Sequence, residues 1–325
     1  MIKVHCFVSC VCEVIKKTKG VDHRPYYFGV WDADFDVQEN MQLTYHSEQI
    51  NHDFFKTWYE MLYGIKIHKW YNPQKTKQEN IIILQELLEN KRPNEHVMVM
   101  LDLSRLPERE NKFNQTPFPH YVMLETTDND EEWLMYDHDF RWEGVLPKDR
   151  IIASINEPSV AGGYSFDSKS IIPPDYKTVE AYFKSCMKHD SNPLTEAVIN
   201  IVNAFTTGKE KHNLSMITLS LRELPVIAIR KYAYEHAFAY FWEHLQLNNE
   251  EFEIWCDEIE KLVKGYTLVQ YRAMKFALTR NYAISDDILS KLDELNRLEF
   301  KIKNELQKYF NEWLQSQNYK VEMNK

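Results

Sequence analysis

Cys6 lies near the start of the chain, and its thiol could act as a nucleophile if a base lay beside it. A histidine and an aspartate far along the chain could supply that base and the acid that orients it. His120 opens a segment of strand character, and Asp137 closes the next such segment. Together, the thiol, the imidazole and the carboxylate could form a nucleophile, a base and an orienting acid.

A β-hairpin would bring the histidine and the aspartate together. Residues 120–126 are typical of a strand, residues 128–130 of a turn, and residues 133–137 of the returning strand. If the turn is centred on Asn129, His120 and Asp137 face each other with Cα atoms about 5 Å apart. Two other acids remain candidates for the same role: Asp139, on the same face of the strand, and Asp102, on the preceding strand.

The segment 6–17 has the pattern of a buried helix, which Gly20 would end. Cys6 would then occupy the first turn, where the helix dipole favours a thiolate. Cys10 and Cys12 are interpreted as structural thiols. The five cysteines are an odd number and lack the paired spacing of zinc sites or disulfide frameworks, so reduced thiols are expected.

Composition limits the functions that the chain can have. With 325 residues, of which 44% are hydrophobic, it can bury a sizeable core. A net charge of -10 argues against nucleic acid or a membrane surface as partner and fits a cationic small molecule better. The apolar stretch 6–15 is too short to span a bilayer, and no secretion signal is evident, so a cytoplasmic protein is expected. No histidine spacing predicts a metal site, and no glycine-rich loop predicts a bound phosphate.

The pattern changes along the chain from strands to long helices. A continuous apolar run at 96–103 predicts a buried strand before the hairpin, and strand character ends near Ile155. Prolines at 173 and 174 suggest the junction. We therefore predict an α+β domain over residues 1–172 and an α-helical domain over 173–325. The helical patterns are clearest at 224–245, 250–280 and 285–315.

One helical segment of the second half carries polar side chains on an aromatic-rich background. Glu235, His236 and Glu243 could line a cleft for a polyamine. A solvated helix face is the simpler interpretation of the same residues.

The order of a helix-borne cysteine, a strand-borne histidine and then an acid is that of papain-like folds. The segments 4–6, 99–107, 120–124 and 136–137 resemble the butirosin-type acyl-carrier-protein:amine acyltransferases, which are similar to leader-processing cysteine peptidases. As a whole, the chain resembles the aryl transferases of petrobactin siderophore biosynthesis. Peptidases of this shape have a glutamine upstream of the nucleophile, whereas none of the five residues before Cys6 is glutamine.

The resemblance implies a papain-like first domain and transfer of a 3,4-dihydroxybenzoyl group to a primary amine of spermidine or citryl-spermidine. The donor would be a thioester on the phosphopantetheine of an aryl carrier protein, with no tightly bound cofactor. Cys6 would take the acyl group, His120 would move protons and Asp137 would hold the imidazole. A homodimer is one candidate assembly.

Three alternatives stay open at this point. His120 could activate the amine for direct attack on the carrier thioester, without an acyl-enzyme. A cysteine peptidase or amidase would use the same three residues with water as the acceptor. A non-catalytic domain would only dock a carrier protein.

Overall fold

In a computed structural model, residues 4–47 and 49–323 are described. The α-helices are α1 Cys6–Lys16, α2 Asp53–Tyr63, α3 Lys77–Glu89, α4 Lys148–Ile155, α5 Tyr176–Cys186, α6 Pro193–Thr206, α7 Ile217–Ser220, α8 Leu224–Ala228, α9 Ala233–Leu245, α10 Asn249–Thr279 and α11 Tyr282–Met323. The strands are β1 Asp36–Val37, β2 Leu43–Thr44, β3 Ile67–Lys69, β4 Glu95–Asp102, β5 Pro119–Thr126, β6 Glu132–Asp137, β7 Trp142–Pro147 and β8 Gly163–Asp167.

The chain forms two compact units. One contains residues up to 26 together with 52–175, and the other contains residues 27–51 together with 176–325. The first unit carries an antiparallel sheet and the second is mainly helical. The predicted α+β class, with a helical C-terminal region, is confirmed.

The sheet of the first unit has six strands in the order β3-β8-β4-β5-β6-β7, and all neighbours are antiparallel. Strand β4 matches the apolar run predicted at 96–103 and pairs with β5 and β8. Its residues Val97, Val99 and Leu101 pack in one core with helices α3 and α4. This rigid sheet positions the start of β5 and the end of β6.

Helix α1 is buried along most of its length, as its sequence predicts, and it begins at Cys6. Lys16 in its last turn interacts favourably with the negative end of the helix. Gly20 follows with a φ of +81°, a conformation that glycine adopts without steric cost.

Two predictions about secondary structure are wrong. Strand character does not end at Ile155, because residues 148–155 form helix α4 and a further strand, β8, lies between β3 and β4. The segment 224–245 is not one helix but α8, a 3-10 turn and α9. In that turn the Arg230 guanidinium donates to the carbonyls of Ala33 and Asp34, so tertiary hydrogen bonds accompany the break.

Four charged side chains form a buried cluster in the helical unit. Lys231 Nζ lies 2.7 Å from Asp32 Oδ1 and 2.6 Å from Glu299 Oε1. Lys303 Nζ lies 3.1 Å from Asp32 Oδ2, and the Tyr234 hydroxyl donates to Glu299. The two lysines balance the two carboxylates. Through Asp32, the cluster connects the early segment 27–51 to helix α11.

Across the described ranges, no helix is both long enough and apolar enough to cross a lipid bilayer.

Candidate active site

The hairpin places His120 and Asp137 on one face of the sheet, but not directly opposite each other. Met123 pairs with Tyr136, so continuing the ladder sets Asp137 level with Val122. The predicted register is therefore wrong by two residues. A pairing of His120 with Asp137 would centre the turn between residues 128 and 129, whereas the observed pairing of Thr126 with Trp133 centres it between residues 129 and 130. A shift of two keeps both side chains on the same face, whereas a shift of one would have separated them.

His120 and Asp137 form a buried hydrogen bond. The Nε2–H of His120 donates to Asp137 Oδ1 over 2.9 Å, and the backbone N–H of Phe140 donates to the same oxygen. Burial opposes ionisation of Asp137, but the neighbouring His120 and Arg109 hold its pKa below the usual range. Asp137 therefore remains a carboxylate and fixes the orientation of the imidazole.

Cys6 reaches the same imidazole from the start of α1. The half-buried thiol is a hydrogen-bond partner of His120, and because Asp137 occupies Nε2, Nδ1 is the nitrogen left for it. Burial alone would lower the pKa of His120, but Asp137 and Cys6 raise it to about 10. The three predicted residues are thus in contact, and the imidazole favours its protonated form.

Arg109 completes the arrangement and had no role in the sequence prediction. Its Nη2 donates to Asp137 Oδ2 over 2.7 Å, and its side chain is 7% exposed. Its guanidinium also lies over the rings of Trp142, at 4.9 Å, and Phe140, at 5.4 Å. An arginine in a polar loop 28 residues before its partner gives no sequence signal, because only the folded sheet brings the two together.

The two other candidate acids, Asp139 and Asp102, accept hydrogen bonds from residues other than His120. Asp139 accepts a hydrogen bond from the Ser9 hydroxyl over 2.8 Å. Asp102 accepts from the backbone N–H groups of Ser104 and Phe118 and from the Ser159 hydroxyl. It therefore holds the loop between β4 and β5, while Asp137 is the acid that contacts His120.

The two thiols that follow Cys6 on α1, those of Cys10 and Cys12, are buried in the core. Cys10 is fully buried and donates to the carbonyl oxygen of Tyr121, and burial raises its pKa well above the usual value. Cys12 is also fully buried. Cys6 differs from both because its side chain is only half-buried and contacts a histidine.

The three residues proposed for polyamine binding are not gathered into one cluster. His236 is buried and stacks on Tyr27 at 3.9 Å, which is a packing role. Glu243 is exposed and lies two helical turns from Glu235, roughly 12 Å along the axis. Glu235 is half-buried, and burial together with the nearby Glu260 raises its pKa to about 7.

Within the described part of the chain, no group of three or more His, Cys, Asp or Glu side chains is arranged to hold a metal ion.

Comparison with known proteins relates both halves of the chain to one family. Residues 1–171 match the DUF6005 N-terminal domain, and residues 177–325 match the DUF6005 C-terminal domain. The chain is also 47% identical over 312 residues to a petrobactin synthase of Bacillus anthracis, covering 96% of this chain and 95% of that protein. The overall resemblance to petrobactin enzymes is therefore confirmed.

Proposed function

Since the chain belongs to the DUF6005 family, we propose that it is a biosynthetic enzyme of siderophore assembly, like the petrobactin synthase that it resembles. In its reaction, a 3,4-dihydroxybenzoyl group moves from an aryl-carrier-protein thioester to a primary amine of spermidine or citryl-spermidine. The observation that supports acyl transfer most directly is the contact chain Cys6–His120–Asp137.

The first step forms an acyl-enzyme. Cys6 gives its proton to His120, and the resulting thiolate attacks the carbonyl carbon of the donor thioester. The backbone N–H of Cys6, in the first turn of α1, is a natural donor to the oxyanion because the first N–H groups of a helix have no partner within it. The carrier thiol leaves with the proton held by His120. The products are the Cys6 thioester, the free carrier thiol and a neutral imidazole.

The second step transfers the acyl group to nitrogen. The neutral imidazole of His120 takes a proton from the amine as the amine attacks the Cys6 thioester. The carbon–nitrogen bond forms, the carbon–sulfur bond breaks, and Cys6 leaves as a thiolate beside protonated His120. The pair of thiolate and protonated imidazole that attacks the donor thioester is thereby restored.

Arg109 acts in this scheme as a positioning residue. His120 and Arg109 contact the two different oxygens of Asp137, so the carboxylate cannot rotate without losing one of them. The positive charge of Arg109 also weakens the negative field that Asp137 exerts on the imidazole. His120 therefore releases its proton to the leaving thiol more readily than it would beside an unpaired carboxylate.

The acceptor is proposed to be cationic. The net charge of -10 attracts a polyamine over a distance, and this attraction weakens as salt screens it. Spermidine, putrescine and an uncharged amine of similar length, compared at low and high ionic strength, test this point. Equal acylation of the uncharged amine and spermidine would contradict it.

Incubation with a 3,4-dihydroxybenzoyl carrier thioester and spermidine, followed by mass spectrometry, tests the proposed reaction. Amide product that depends on Cys6 is the expected result. Free acid without amide would instead indicate a hydrolase, and unchanged thioester would indicate a docking module. Cys10→Ala is the matched control, because it removes a thiol one helical turn away that does not contact His120.

A further inference from the structure

Negative and positive side chains occupy different parts of helix α10 and of the short segment that follows it. Residues 250–260 contain six carboxylates and no lysine or arginine. Residues 261–285 contain no carboxylate and five cations, which are Lys261, Lys264, Arg272, Lys275 and Arg280. This stretch of a chain with a net charge of -10 is therefore locally basic.

The same stretch exposes large apolar side chains. Leu268 is 41% exposed, Tyr271 62% and Leu278 85%. With 3.6 residues per turn, these three share roughly a quarter of the helix circumference with Lys264 and Lys275. We call this set the α10 face. It extends for roughly 20 Å along the helix.

The opposite side of α10 is already used for packing. Tyr266, Val269, Ala273 and Phe276 are buried in the helical unit. The exposure of the α10 face is therefore a feature of one side of an otherwise well-packed helix. Exposed apolar groups interspersed with charges are typical of an interaction surface.

Helix electrostatics alone do not account for the cations. The helix dipole acts mainly on the last turn, whereas the basic stretch runs over twenty residues. Lys264 has a partner in Glu260. Among the described residues, no carboxylate forms an ion pair with Lys275 or Arg280, so their charges are available to a partner.

The positive charge of the α10 face also limits which partners can bind there. Two copies of the α10 face packed around a twofold axis would bring lysines close to lysines, which is unfavourable. An anionic membrane would also be attracted by these cations, so binding to anionic vesicles is one outcome of the test below. A small acidic protein with an apolar contact patch satisfies both the cations and the exposed Tyr271 and Leu278.

We propose that the α10 face is the docking surface for the acidic carrier protein that delivers the acyl group. This inference rests on the proposed function, which requires such a donor. The three apolar side chains supply contact area, and the cations speed the encounter and orient it. The small size of the face suits a transient partner that must leave after each turnover.

The test compares two donors in the full-length enzyme. One is the 3,4-dihydroxybenzoyl carrier protein, and the other is the same acyl group on free pantetheine, which lacks the protein. In Lys264→Glu/Lys275→Glu and in Tyr271→Ser/Leu278→Ser, KM for the carrier donor should rise about tenfold or more, corresponding to about 1.4 kcal/mol. Turnover of the pantetheine thioester should be unchanged. The matched control, Lys209→Glu/Lys211→Glu, makes the same charge change at exposed sites elsewhere in the helical unit.

Each outcome has one meaning. Unchanged KM for the carrier donor in both α10 variants overturns the docking proposal, while activity with both donors still supports the proposed function. No amide from either donor in the parent enzyme overturns the proposed function itself. Conversion of a dimer to a monomer by Tyr271→Ser/Leu278→Ser, or loss of binding to anionic vesicles, with carrier kinetics intact, assigns the face to another partner. Thermal unfolding of each variant verifies that the helical unit remains folded.

Discussion

Arg109 and His120 contact opposite oxygens of one buried carboxylate, at 2.7 Å from Asp137 Oδ2 and 2.9 Å from Asp137 Oδ1. The carboxylate is thus shared between a permanent cation and a group that must gain and lose a proton. The arginine limits how strongly Asp137 can stabilise the protonated imidazole.

Removing Arg109 should change the pH profile as well as the rate. In Arg109→Ala the full charge of Asp137 acts on His120, whose pKa is already raised to about 10, so the alkaline limb of kcat/KM should move to higher pH. Asp137→Asn should move it to lower pH. Added guanidinium should partly restore Arg109→Ala. A lower rate with no shift of the limb would indicate a purely structural role for Arg109.

Replacing Cys6 should abolish the acyl-enzyme. We expect Cys6→Ala to lose amide formation while Cys10→Ala retains it, because only Cys6 contacts His120. The measurement is mass spectrometry of the intact protein after mixing with labelled donor, without an acceptor. A label on Cys6 supports the covalent route. Full activity in Cys6→Ala would instead indicate direct attack by the amine.

Substitutions of His120 and of the three candidate acids should differ in their effects on rate and stability. His120→Ala should lower kcat about 100- to 10,000-fold, and Asp137→Asn should lower it less, since the aspartate orients the base and does not carry the proton. Asp139→Asn and Asp102→Asn should affect stability more than rate, because they accept hydrogen bonds from other groups. Steady-state rates and urea unfolding of all four variants test this order. A greater loss of rate in Asp139→Asn than in Asp137→Asn would reassign the acid.

Lys231→Met should destabilise the protein by about 3–5 kcal/mol, because it leaves two buried carboxylates without their shared cation. Burial opposes ionisation of Asp32, but Lys231 and Lys303 lower its pKa below the usual value. The stabilisation is therefore present above the ordinary aspartate pKa of about 3.9 and is lost as pH falls through the folded value. Urea unfolding at several pH values should show this loss. Lys308→Met, at an exposed ion pair, is the control and should cost at most about 1 kcal/mol.

Polyamine binding should depend on the ionisation of Glu235. Burial and Glu260 raise the pKa of Glu235 to about 7, so it is mainly neutral at pH 6 and mainly charged at pH 8. Spermidine should therefore bind more tightly at pH 8, as measured by calorimetry, and Glu235→Gln should remove much of that difference. The exposed Glu243→Gln should preserve it. An unchanged pH dependence in Glu235→Gln would exclude Glu235 from the binding site.

The sequence predicts the contact between His120 and Asp137 because strand alternation is a local property. The turn is centred one residue later than a pairing of His120 with Asp137 would require, which shifts the register by two residues, and an even shift keeps both side chains on the same face. The start of α1 at Cys6 was predictable for a similar reason, since apolar spacing and the lysines near its end are local signals.

Arg109 and strand β8 were not predictable in this way. Arg109 is recognisable only through its contact with Asp137, which requires the folded sheet. Strand β8 is short, begins with glycine, and is fixed by its pairing with β3 and β4. The break within 224–245 likewise coincides with contacts of Arg230 and Lys231 to residues 32–34. Such contacts between distant positions leave little trace in a local pattern.

The buried cluster around Lys231 also sets an order of events during synthesis. Asp32 leaves the ribosome 271 residues before Lys303, which corresponds to a delay of roughly 15–55 s at ordinary translation rates. Asp32 meets its first cation only after Lys231 has been made, 199 residues later, and its second only after Lys303 has been made. A gene fragment covering only 177–325 would have the opposite defect, with Lys231 and Lys303 both facing Glu299 and no Asp32. A helical unit expressed on its own therefore needs the early segment supplied as a second peptide or joined to its start.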